Sequence, residues 1–157
     1  MTVELNNESG ADVDEERLGA LSRYVLKQMQ IHPQAELSVV LLDVAAMTQL
    51  NEEFMEETGP TDVLAFPMDE LRPGDEDTDP EPGLLGDVVL CAEVAARQAE
   101  QAGHGLPDEL DLLCTHGILH LLGYDHHEPD EERQMFGIQA RLLAAWQAEW
   151  PGVGGDA

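Results

Sequence analysis

The segment HGILHLLGYDH, residues 116–126, asks two things of the backbone at once. His116 and His120 stand four residues apart in a leucine-rich run, so in a helix they share one face, about 40° apart around the axis and one turn apart along it. Gly123 then stops that helix and lets the chain turn back, bringing His126 towards the same point. The fold must therefore supply an apolar helix that ends in a sharp reversal. Four of the six histidines fall between positions 116 and 127, and uncompensated imidazoles on such a helix carry a desolvation cost. Three neutral imidazoles suit Zn²⁺, one ion per chain, and leave a fourth position open for water or substrate. Zinc held this way lowers the pKa of water to about 7. His127 is expected to face solvent or to support a ligand from behind.

A family of metalloproteases uses the pattern H-E-x-x-H-x-x-G-x-x-H, with the glutamate as general base. The spacing and the glycine are present here, but Gly117 occupies the glutamate position. Peptide hydrolysis by that route has lost its proton acceptor. Gly117 also costs about 1 kcal/mol of helix stability relative to alanine, which suggests a close backbone approach at this point.

Charge narrows the choice of partner. The 157 residues include 33 acidic and 7 basic side chains, for a net charge of −26, and Lys27 is the only lysine. Such a surface is strongly solvated, and its long-range field repels nucleic acid and anionic membranes. The 43% hydrophobic content argues against global disorder, and the length suits one domain with a genuine core, here taken as 1–150 with a frayed tail at 151–157. Cys91 and Cys114 are too few and too far apart for a CxxC pair or a disulfide framework, so both read as small buried apolar residues in a reducing compartment. The start, MTVELNNESGADVDEE, has neither a basic nor an apolar signal region, and no apolar run approaches membrane-spanning length. A cytoplasmic protein without membrane contact is expected.

Along the chain, TVELNNES alternates as a short strand. Leu18, Leu21, Val25 and Met29 recur at helical steps after Asp14, a candidate N-cap. ELSVVLLD (36–43) reads as a central strand, and Asp43 caps a helix over 44–55. Two further strands are expected at 62–67 and 86–93, then helices over 91–103, 107–122 and 130–150. Between the strands, residues 69–83 are acidic and carry three prolines. Asp75, Asp77 and Asp79 alternate as in an EF-hand loop, but Pro80 and Gly86 stand where that loop needs its glycine and its bidentate glutamate, so a mobile solvated loop is expected instead. The order β-α-β-α-β-β-α-α-α indicates an α+β domain, a small mixed sheet packed with five helices.

HGILHLLGYDH, together with PTDVLAFPMDE (60–70) and LGDVVL (85–90), resembles the YbeY family of bacterial rRNA-maturation endoribonucleases over most of the chain. The resemblance implies a zincin-like α+β fold, zinc on His116, His120 and His126, and cleavage of single-stranded RNA in 16S rRNA maturation and ribosome quality control. The implied partners are single-stranded rRNA and the small ribosomal subunit, with no role on DNA. Two positions depart from the pattern. Ala65 replaces a common serine in PTDVLSFP, and Met55 stands where many members carry an arginine suited to an RNA phosphate.

The general base stays open. Activated water needs none beyond solvent, or a carboxylate orients it. Asp62 and Asp87 each sit at a strand start and are candidates, with turn formation and capping as their alternative roles. Asp125 is a candidate to orient a liganding imidazole. Arg17, Arg23, Lys27 and Arg97 are the candidate RNA-facing cations, with salt bridging favoured for Arg17. Against the nuclease stands a second reading, a non-catalytic zinc-stabilised adaptor in ribosome assembly whose acidic face docks basic proteins. Hydrolysis of a small non-RNA substrate is a third.

Overall fold

A computed structural model describes residues 2–69 and 82–149. The elements run β1 (Thr2–Asn7), α1 (Glu15–Gln28), β2 (Glu36–Leu42), α2 (Val44–Phe54), β3 (Val63–Pro67), β4 (Leu84–Cys91), α3 (Ala92–Ala102), α4 (Leu106–Leu121) and α5 (Pro129–Glu149). This is the order and type read from the sequence. Most of the acidic segment, with the EF-hand-like aspartates, and the expected tail at 151–157 lie outside the described residues. No described helix is long and apolar enough to cross a membrane.

β2 carries the apolar β-branched run and sits inside the sheet, parallel to β1 on one side and to β4 on the other. β3 forms the far edge, antiparallel to β4, so the sheet order is β1-β2-β4-β3 and the sheet is mixed. Because successive strand residues point to opposite faces, β4 divides its side chains between two layers. Val88 and Leu90 join the large core with α1, α4 and α5. Val89 and Cys91 face the other way and pack with Met47 of α2 and Leu64 of β3. Both cysteines are buried and free, as expected of small apolar residues.

The helix ends follow from local chemistry. Asp14 Oδ1 accepts from Arg17 N at 3.0 Å, and Asp43 Oδ1 accepts from Ala46 N at 2.8 Å, each relieving an unpaired N–H in the first turn. At the far end of α4, Gly123 takes φ +98°. Its N–H donates to His120 O, and Tyr124 N–H donates to Leu119 O. These two bonds form the paired closure that a left-handed residue after a helix makes possible.

α4 is the helix on which the site depends, with ten buried residues and packing against α1, α3, α5, β3 and β4. It comes close to the sheet at Gly117. A Cβ there would stand 2.8 Å from Val88 Cγ1 and 3.2 Å from Val63 Cγ2. The close approach suggested by the sequence is therefore real, and it holds a position the protease pattern fills with glutamate. Gly117→Ala gains about 1 kcal/mol of helix propensity but overpacks a branched side chain at a cost of about 1–3 kcal/mol. We expect a lower Tm for this variant in thermal unfolding, and a smaller loss from Gly117→Ala in a Val88→Ala background than in wild type. A Tm equal to or above wild type would contradict the tight contact.

Candidate functional site

Two turns of α4 and the reversal after it assemble the histidines. His116 and His120 project from the last part of the helix. The closure at Gly123 returns the chain so that His126 meets them, with ring centroids 4.8 Å apart for His116 and His120, 5.5 Å for His116 and His126, and 5.3 Å for His120 and His126. One nitrogen from each lies within 4.8 Å of the other two. The convergence expected from the spacing is what the backbone produces.

Which nitrogen of His116 is available is decided by α5. Gln139, buried at 7% exposure, places its Oε1 2.9 Å from His116 Nδ1. An amide oxygen only accepts, so Nδ1 carries the hydrogen and Nε2 keeps its lone pair. Burial holds the His116 and His120 imidazoles below their ordinary pKa, and neighbouring histidine rings add to the effect in both. Neutral imidazoles with free lone pairs are the form a divalent ion binds. The donor set thus fits an imidazole-preferring transition ion such as zinc.

The histidines line a cleft of about 510 Å³ between α4, β3 and α5. Asp62 stands in its wall. Its Oδ1 accepts from Val63 N at 2.7 Å and its Oδ2 from Gln98 Nε2 at 3.3 Å, and its charge works against the net lowering of the His116 pKa. Asp87, the other carboxylate candidate, does not line this cleft. Its strand parity is that of Val89, and it lines a separate groove with Ser38 and Met68. Asp125 lies one residue from His126 and bonds locally: Oδ1 accepts from His126 N at 2.7 Å, and Oδ2 lies 3.2 Å from Nε2 of the exposed His127. It stiffens the turn that carries His126, and the role of orienting a converging imidazole falls to Gln139.

Three further cleft residues escaped the sequence reading. Gln139 is polar on the buried stripe Met135, Gln139, Leu142 and Trp146 of α5, and a lone polar residue on such a stripe is the signal that could have found it. Glu109, two turns before His116 on the same face of α4, is buried and lies 2.6 Å from His104 Nε2 through Oε1. Phe136 sits against His116 and His126.

Cations are placed elsewhere. No described lysine or arginine lines the cleft. Arg17 bridges Asp108 at 3.0 Å and Asp111 at 2.7 Å, tying α1 to α4, the structural role favoured for it. Arg97 pairs with Glu93 on its own helix. Arg23 and Lys27 are exposed on α1. Ala65 lines the cleft, whereas Met55 caps the C-terminus of α2, half exposed and outside the cleft lining.

Removing the acceptor behind His116 tests the orienting contact. Gln139→Leu should weaken metal binding about 10- to 100-fold in a chelator competition, the usual cost of losing such a partner. Gln139→Glu keeps an acceptor and should retain metal. Equal affinity in wild type and the leucine variant would show that the contact does not orient the ring.

The family model Endoribonuclease YbeY matches residues 4–147. A relative from Thermobifida fusca, named Endoribonuclease YbeY, is 62% identical over 94% of this chain and 95% of its own length. One of the same name from a Nocardioides species is also 62% identical, covering 94% of this chain and 99% of the relative. The solution structure of TM1509 from Thermotoga maritima superposes with a TM-score of 0.64 at 25% identity, over 99% of both chains. With the histidine cluster and the α+β architecture already in place, these matches establish that the chain belongs to the endoribonuclease YbeY family.

Proposed function

We propose that this chain is a zinc-dependent endoribonuclease that cleaves single-stranded RNA in the 3′-end maturation of 16S rRNA and in ribosome quality control, acting in the cytoplasm at the small ribosomal subunit. The observation that carries the reading is the convergence of His116, His120 and His126 at an accessible cleft, in a chain 62% identical to relatives named endoribonucleases. Three protein ligands leave a position for water or substrate, the arrangement of catalytic rather than structural sites.

The three imidazoles would hold the ion, which when bound supplies Lewis acidity and an activated water. The chain's own groups do the rest. Gln139 fixes the His116 tautomer, and the turn stiffened by Asp125 fixes His126. We assign proton acceptance and water orientation to Asp62, the sequence candidate that the cleft contains. Its Oδ2 has one protein donor and therefore a lone pair to spare. The position of the protease glutamate is closed by the contact of Gly117 with Val88, and this supports hydrolysis of a substrate other than peptide.

One observation favours the adaptor instead: the described cleft lining holds no lysine or arginine. The two readings differ in a cleavage assay. Zinc-loaded wild type should cut a single-stranded RNA, and His120→Ala should lose both metal and cleavage. Asp62→Asn should keep its metal while kcat falls about 100-fold or more, the usual contribution of a positioned base. Unchanged kcat in Asp62→Asn would remove that residue from the mechanism, and no cleavage by the loaded wild type would favour the adaptor.

Charge gives a separate test. With two or three phosphates neutralised at most, log K should fall with log salt at a slope near −2 or shallower, at about −0.7 per phosphate for single strands. A slope several times steeper would point to a basic groove, which the described residues of this cleft do not form.

A further inference from the structure

On α5, Met135, Leu142 and Trp146 are buried and Ile138 and Leu143 half-buried, but Phe136 keeps 40% of its surface exposed. It follows Met135 on the helix, so its ring leaves the flank of the buried stripe and enters the wall of the histidine cleft. There its centroid lies 5.9 Å from that of His116, with 19° between the planes, and 6.0 Å from that of His126, with 32°. An aromatic ring thus borders the histidine cluster, beside apolar wall contributed by Val63, Ala65 and Leu112.

A single-stranded nucleic acid offers a protein two handles, its phosphates and the faces of its bases. The first is poorly served here. Among the described residues no cation lines the cleft, Arg17 is committed to Asp108 and Asp111, and the chain as a whole carries a charge of −26. Base stacking is indifferent to that charge. It also needs a face that is not already paired and stacked, which a duplex does not provide.

We propose that Phe136 is the stacking platform of a nucleobase subsite, holding the base next to the phosphate that reacts at the histidine centre; this rests on the RNA reading given above. The subsite accepts any base, because each has a π face, and selects single strands over duplexes. A ring that only propped His116 would be replaceable by leucine, which fills much of the same space. A stacking platform would not.

The test is a double cycle on the zinc-loaded protein with a short single-stranded RNA. One abasic nucleotide is moved through the positions flanking the scissile phosphate, and KM, kcat and metal content are measured for wild type, Phe136→Leu and Phe136→Trp. At one position the abasic substrate should raise the wild-type KM about tenfold, the usual size of one base stack. Phe136→Leu should raise KM on intact RNA by a similar factor, with metal content and kcat little changed, and should be insensitive to the abasic position. Phe136→Trp should restore both affinity and that sensitivity. Losses that multiply when the two changes are combined, or a fall in metal content and kcat with KM unchanged, would overturn the subsite while leaving the nuclease in place. No cleavage of any RNA by wild type would overturn the proposed function, and the subsite with it.

Discussion

The contact between Gly117 and Val88 is the constraint on which the site depends. α4 must lie within side-chain reach of β4 for its next two turns to stand over the cleft beside β3, and a Cβ at 117 would meet Val88 Cγ1 at 2.8 Å. The same absence of a side chain that brings the helix down also removes the acid a metalloprotease would carry there. Packing and chemistry are therefore decided by one residue. His116 and His120, on either side of that contact, share the helix face that borders the cleft, and Gly123 then reverses the chain to add His126.

Around this core the site is assembled from three directions, each with a different physical job. α4 provides two donors on a rigid scaffold. The turn after it provides the third, with Asp125 bonding the His126 backbone and the His127 ring rather than any of the three converging rings. α5 provides Gln139, whose amide oxygen selects the His116 tautomer, and Phe136, whose ring borders the donors. Asp62, just before β3, and Ala65 within it complete the wall. The result is a cleft in which the histidines, Asp62, Glu109 and Gln139 face an apolar wall of Val63, Ala65, Leu112 and Phe136, set in a strongly acidic protein whose half-buried Arg17 is consumed by structure. Among the described residues no lysine or arginine lines the cleft, which leaves the histidine cluster and contacts that do not depend on charge to carry recognition.

Much of this was legible in the sequence, and for reasons that are local. The two aspartate caps, the glycine stop after α4 and the period of each helix are short-range chemistry, so element order and type followed from them. The histidine convergence was legible because helix geometry and one reversal suffice to bring the three together. What was missed needed the tertiary arrangement. Asp62 and Asp87 look equivalent in sequence, each at a strand start. Only the pairing of β3 with β4, and the choice of which β4 face meets α4, sends one to the cleft and the other to a separate groove. Gln139 and Phe136 lie on a different helix from the ligands, and nothing in the spacing ties them together. Glu109 was within reach of the reasoning, since it shares a helix face with His116 seven residues on, but its pairing with His104 closes around the α3–α4 turn.

His116, His120 and His126 are proposed to form one three-nitrogen site with an open position. X-ray absorption at the zinc edge of the reconstituted protein tests this most directly. Three imidazole nitrogens and one light oxygen donor are expected at about 2.0–2.1 Å, the oxygen replaceable by an added small anion. A closed shell with a fourth protein ligand, or fewer than three imidazoles, would contradict it.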